Sequence, residues 1–131
     1  MFEDILNLNA NFTSIVRKIS KKHSITLQQA LILSHISISG SPMSILANRL
    51  GLDPSTITRN IEKLELKNLL YRERATSDTR MIYVYKSAEG SRIAREIEKE
   101  VEIILKHSSQ RTAELRDAIQ TMNWNLEKET A

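Results

Sequence analysis

The 131-residue chain contains no cysteine, which excludes disulfides, thiolate metal sites and any cysteine-based peroxide sensor, and fits a reducing compartment. Proline occurs twice and glycine three times, so little interrupts helices and a mainly α fold is expected. No apolar run approaches the roughly 18 residues of a membrane span. The start, Met-Phe-Glu-Asp, is acidic and lacks the plan of a signal peptide. No glycine-rich phosphate loop and no nucleophile motif occurs, and His23, His35 and His107 are widely separated without metal-ligand spacing. No catalytic residue, metal or cofactor is therefore expected. His35 sits on or beside an apolar helix face and reads as a core or pocket histidine rather than a ligand.

What is present is a modest basic excess placed in one stretch. The net charge is +3, and between Arg49 and Lys86 eight basic residues face five acidic ones, while the remainder carries eleven of each sign. The whole excess lies in the middle of the chain, as a polyanion partner would require, although +3 alone proves none.

That middle stretch, Met43 to Tyr85, has the order helix, tight turn, helix, two-stranded ribbon. Ile45, Leu46 and Leu50 fall near one face of a first helix. Gly51 suits a left-handed helix stop, Asp53 offers an N-cap oxygen and Pro54 fits the first helical position. Ile57, Ile61 and Leu64 form the buried stripe of a second helix, and Asn68 is its left-handed stop. The opposite face carries Ser55, Arg59 and Glu62, flanked by Thr56, Thr58 and Lys63. Most polar helix faces only meet water. Here the turn, the caps and the following ribbon point to a helix that enters a DNA major groove, whose base edges need donors and acceptors.

Leu69–Arg74 and Met81–Tyr85 have the composition of strands, joined by the polar loop Ala75–Arg80. Arg74 and Arg80 near the tip suit phosphates or a narrow minor groove, against the alternative of solvated loop charge. Asp78 either pairs with an arginine and directs it or caps the turn.

Outside this stretch the chain reads as helices. Ile5, Leu8, Phe12, Ile15, Val16 and Ile19 make a stripe from Phe2 to about Ser20, and the cations Arg17, Lys18, Lys21 and Lys22 cluster at its end, a solvated helix end or a phosphate contact. Thr26 with Gln29 is a capping box opening a central core helix with Leu27, Leu31, Ile32, Ile36 and Ile38, which Ser39-Gly40-Ser41-Pro42 ends. Ser87 begins a long helix striped by Ile93, Ile97, Val101, Ile104 and Leu105. A break near His107-Ser108-Ser109 precedes a last helix carrying Leu115, Ala118, Ile119, Met122 and Leu126. Their stripes bury either within the chain or against a second copy.

The run Leu46-Ala47-x-x-Leu50-Gly51-Leu52, Ser55-Thr56-Ile57-Thr58-Arg59, Leu64-Glu65-x-x-Asn68-Leu69, Asp78-x-Arg80 and Ser87-x-x-Gly90 resembles the MarR-type winged-helix transcriptional regulators. With the flanking helices the likeness covers nearly the whole chain. Asn68 departs from the family's usual glycine, and Ile45 from a frequent polar residue, which implies a more buried first helix here. The resemblance implies a mainly α fold with a small β-hairpin wing, residues 1–131 forming one winged helix-turn-helix domain. Its reading head spans about 26–86, and N- and C-terminal dimerisation helices span about 2–20 and 88–128. It further implies a homodimer on double-stranded DNA, most simply a repressor on an inverted repeat, in the cytoplasm and nucleoid-associated, with no membrane partner. Ser55, Thr56, Thr58, Arg59 and Lys63 would meet bases or phosphates, and Arg74, Asp78 and Arg80 would form the wing contact. Many relatives sense small aromatic ligands, for which Phe12, His35 and Tyr71 are the candidates here by placement. The alternatives are a winged-helix module for protein–protein contact in a transcription complex, and a nonspecific DNA-coating protein. The latter would show steep salt dependence without sequence preference.

Overall fold

Apolar spacing and end signals set where each element starts and stops. In the computed structural model, which describes residues 1–130, the order is α1 (Phe2–Lys22), α2 (Leu27–His35), β1 (Ser41–Pro42), α3 (Met43–Leu50), α4 (Pro54–Leu66), β2 (Leu70–Arg74), β3 (Ile82–Lys86), α5 (Ala88–Ser108) and α6 (Thr112–Thr130). The chain divides into two compact units, one spanning Met1–Glu100 and the other beginning at Val101.

The first unit has its core where three helices meet the sheet. Ile32 and Leu33 of α2, Leu46 of α3, Ile61 and Leu64 of α4 and Val84 of β3 are fully buried. Each such aliphatic side chain contributes about 1.5–3 kcal/mol by leaving water. Val16 and Ile19 of α1 and Ile93 and Ile97 of α5 are buried in the same unit. The capping box forms as its sequence requires: the Gln29 amide N–H donates to Thr26 Oγ1 and the Thr26 amide N–H to Gln29 Oε1, both at 3.1 Å.

Two helix ends depend on left-handed residues. Gly51 takes φ 64° after α3, and its N–H and that of Leu52 return to the Asn48 and Ala47 carbonyls. Asn68 takes φ 60° after α4, so the asparagine occupies the position that glycine fills at less cost. Its carbonyl accepts from Ser87 Oγ at 2.7 Å, and that hydroxyl oxygen in turn accepts the Gly90 N–H at 3.0 Å, opening α5. A Cβ on Gly90 would lie 1.8 Å from the Leu69 carbonyl oxygen, so only glycine allows α5 this close to the start of β2.

The structure corrects several expectations. The ribbon is part of a three-stranded antiparallel sheet in the order β1-β3-β2, with Ser41 opposite Val84 and Pro42 opposite Tyr83. Two residues ending in proline carry too little periodicity to read as a strand. Ile38 is not in the core: α2 stops at His35, Ile38 is fully exposed, and Ser37 turns the chain by donating its hydroxyl to the Gly40 carbonyl at 2.5 Å. Ile45 is 49% exposed, so the apolar residue does not make α3 more buried; Leu46 alone of that helix is buried. His35 is an exposed residue rather than a core one, its Nδ1–H donating to the Leu31 carbonyl at 2.7 Å.

In the second unit the last two turns of α5 leave Ile103, Ile104 and Leu105 exposed, and no residue of α6 is buried. The break falls where the serines predict it. Ser108 Oγ donates to the Leu105 carbonyl at 2.7 Å, and the Arg111 N–H donates to Ser109 Oγ at 3.2 Å.

Candidate nucleic-acid interface

A helix of 13 residues with one apolar stripe must present the opposite side outward. With Ile57, Ile61 and Leu64 of α4 buried, the outermost line is Ser55, Arg59, Glu62 and Leu66, all exposed. Lys63 is also exposed, on one flank, whereas Thr56 and Thr58 are half-buried on opposite flanks. The helix start is held by Asp53, whose Oδ1 accepts the Thr56 N–H at 2.8 Å and the Ser55 hydroxyl at 2.6 Å. These bonds, the Ser55 hydroxyl first, hold the Asp53 carboxyl below the usual carboxylate range. Ser55 thus spends its proton on the cap and keeps only acceptor capacity outward. Arg59 and Glu62 have no hydrogen-bond or ion-pair partner among the described residues.

The wing supplies a second set of donors. Its loop closes through the Ala75 N–H to the Met81 carbonyl at 2.9 Å and the Met81 N–H to the Asp78 carbonyl at 3.0 Å. Arg74 donates from Nη1 to the Thr79 carbonyl at 2.8 Å, which ties the loop to β2. Asp78 performs both of the roles open to it. Its Oδ1 accepts the Arg80 N–H at 3.0 Å, capping the turn, and its carboxylate faces the Arg80 guanidinium with Nε–Oδ1 at 3.2 Å. The Arg80 side chain first, and its N–H second, lower the Asp78 carboxyl from its ordinary range. The Arg80 side chain is 90% exposed, so its charge reaches solvent while its direction is set.

One connection went unnoticed in the sequence. Arg72 of β2 donates from Nη2 to Glu65 Oε1 of α4 at 2.9 Å, with Nε to Oε2 at 3.4 Å, tying the outward-facing helix to the wing. The signal was available. Strand alternation puts Arg72 on the same face as Leu70, where a charged group needs a partner. Tyr71 and Tyr85, directly opposite in register, stack at 5.3 Å on the other face, with Tyr83 6.4 Å from Tyr85.

A family model described as transcriptional regulator SarA/Rot matches residues 14–97, well over half of the chain. The chain belongs to that family. It is a winged-helix transcriptional regulator of the MarR/SarA type, as the order of its motifs implies. The SarA/Rot match spans α2 to β3 whole, and so includes every residue singled out above on α4 and the wing. Solved structures share the fold over nearly the full length. A MarR transcriptional regulator from Methanosarcina mazei is 22% identical, with a TM-score of 0.82 covering 96% of this chain and 95% of that one. Wild-type MarR from E. coli in its apo form is 19% identical, with a TM-score of 0.74 over 100% and 96%. CouR from Rhodococcus jostii bound to p-coumaroyl-CoA is 21% identical, with a TM-score of 0.75 over 90% and 87%. At these identities the likeness is one of fold. A search of curated proteins finds no match.

The three aromatic-ligand candidates lie on separate elements of this SarA/Rot family member. Phe12 is on α1 and 37% exposed, His35 is an exposed residue of α2, and Tyr71 is stacked on Tyr85. A cleft of about 240 Å³ opens between the start of α3 and the loop end of β3, lined by Pro42, Met43, Ser44, Arg80, Met81 and Ile82, and none of the three lines it. Among the described residues no group of three or more His, Cys, Asp or Glu is placed to hold a metal ion, and no helix is long and apolar enough to cross a membrane.

Proposed function

We propose that this regulator acts as a homodimer that reads double-stranded DNA in a sequence-specific way, with α4 in the major groove and the wing on the flanking backbone or minor groove. The observation that carries the reading is the outer face of α4. It presents an unpartnered guanidinium at Arg59 beside exposed Ser55 and Lys63, on a helix whose start and inner stripe are fixed. Arg59 meets base edges, Thr56 and Thr58 contact bases from the flanks, Lys63 contacts bases or phosphates, and Ser55, whose proton goes to Asp53, accepts from a base amino group. In the wing, Arg80 approaches the DNA in a direction set by Asp78, while Arg74 shapes the loop and adds charge.

Two copies are needed because one head covers a half-site, and an inverted repeat mirrors a two-fold dimer. The exposed apolar residues of α1, the end of α5 and α6 support that assembly. Repression is the simpler outcome, since occupancy of an operator suffices to block a promoter. Release by a small aromatic ligand, through Phe12, His35 and Tyr71, rests on kinship alone, CouR being a fold relative bound to p-coumaroyl-CoA. A panel of phenolic acids that changed neither DNA affinity nor thermal stability would remove that part. The protein works in the cytoplasm, at the nucleoid.

The test is a comparison of wild type with Arg59→Ala across a base-substitution series of the selected site. Loss of about 1–3 kcal/mol of discrimination at one position is expected for a bidentate contact. Unchanged specificity would show that α4 does not read through that residue.

A further inference from the structure

A carboxylate on the outermost line of a helix that enters DNA is a costly choice, and Glu62 is such a group. It is exposed, it lies on the same line as Ser55, Arg59 and Leu66, and nothing among the described residues pairs with it. The other carboxylates on or beside α4 are occupied: Asp53 caps the helix and Glu65 binds Arg72. Within a groove flanked by phosphates, an unpaired carboxylate is repelled and loses its water. It is tolerated there only where it accepts a hydrogen bond. The major groove offers few donors: guanine presents N7 and O6, thymine presents O4 and a methyl, and only cytosine N4 and adenine N6 carry N–H groups.

We propose that Glu62 is a specificity-determining residue that accepts a hydrogen bond from an exocyclic amino group, cytosine N4 or adenine N6, and rejects guanine and thymine at that position. The inference rests on the DNA-reading role of α4 proposed above. Arg59 and Glu62 are three residues apart, about 4.5 Å along the helix axis, so their target bases lie within one or two base pairs of each other. The two side chains have opposite chemistry. Arg59 only donates and selects acceptor-rich guanine, whereas Glu62 only accepts and selects an amino-bearing base. Much of the Glu62 discrimination is negative. A wrong base leaves its charge facing acceptors, and the same repulsion weakens binding to random DNA.

The experiment uses the full chain and sites selected by the wild-type protein, with single-base substitutions at each position read by competition binding. Glu62→Gln, Glu62→Ala and Arg59→Ala are compared with wild type after circular dichroism and thermal melting confirm equal folding. Wild type should prefer cytosine or adenine by about fivefold or more at one position near the Arg59 position. Glu62→Ala should flatten that position alone and bind random DNA more tightly. An analogue of the preferred base lacking its amino group should weaken wild type and leave Glu62→Ala unaffected, and it separates cytosine from adenine. If Glu62→Ala leaves every position unchanged while Arg59→Ala relaxes one, the inference fails and α4 still reads DNA. If Glu62→Ala relaxes only the position that Arg59→Ala relaxes, Glu62 positions the arginine and contacts no base. If the wild type shows no preferred sequence, the reading role of α4 falls first.

Discussion

The helices α4 and α6 carry similar apolar stripes and meet opposite fates. In α4, Ile57, Ile61 and Leu64 are buried and the polar line faces out. In α6, Leu115, Ile119, Met122 and Leu126 repeat at helical spacing, yet each is 39–52% exposed. Two further stripes change along their own length. Val16 and Ile19 of α1 are buried while Ile5, Leu8 and Phe12 are not, and α5 passes from buried Ile93 and Ile97 to exposed Ile104 and Leu105. An amphipathic pattern states that a helix needs a covering surface and leaves open which molecule supplies it. Where one chain covers the stripe the helix is part of the fold. Where it does not, a second copy is the economical cover under the proposed reading of a two-fold DNA site.

The contrast breaks most sharply by substitution on the two stripes. Ile61→Ala, at a fully buried α4 site, should cost about 2–5 kcal/mol of stability, read by urea denaturation, and reduce DNA binding through unfolding. In α6, Leu115→Glu combined with Ile119→Glu should leave the helix content and the folding of the first unit nearly unchanged. It should shift sedimentation from dimer to monomer by at least about a hundredfold in dissociation constant, since it places charges in an apolar interface. A dimer that survives this double change would assign the stripe to another partner. Smaller is the effect of the cap: Asp53→Ala should lower the thermal unfolding midpoint by less than Ile61→Ala does. The cap and the wing should also respond to acid in one sense only. The carboxyls of Asp53 and Asp78 are depressed below 3.8, so their contribution is complete above that value and is lost as pH falls through the folded pKa. Stability and wing order should therefore be insensitive to these two groups from neutral pH down to about pH 4, and decline below it. Smallest is Asn68→Gly, which should be neutral or stabilise by less than about 1 kcal/mol, because glycine reaches φ 60° without the Cβ penalty.

Much of the fold is legible in the sequence, for a physical reason in each instance. Gly51, Asp53-Pro54 and the capping box of Thr26 and Gln29 act locally, so their spacing alone fixes the ends they make. The stripe of Ile57, Ile61 and Leu64 predicted its own burial and with it the outward line of α4. What escaped depended on contacts distant in sequence. Strand β1 exists because β3 pairs with it, and the Arg72–Glu65 bridge needs β2 to return beside α4. Apolar character suggests that Ile38 and Ile45 lie inside, but a residue past a helix end or beside the stripe has no obligation to be covered. The flanking places of Thr56 and Thr58 follow from the helical period, but their half-burial depends on what packs beside α4.

The most direct measurement is selection of bound genomic fragments by the purified full chain at about 150 mM salt, where nonspecific binding is suppressed. The account predicts an enriched inverted repeat with half-site centres about one helical turn apart, and loss of that enrichment on Arg59→Ala. Binding that falls steeply with salt and enriches no sequence, or no DNA binding at all, would contradict it.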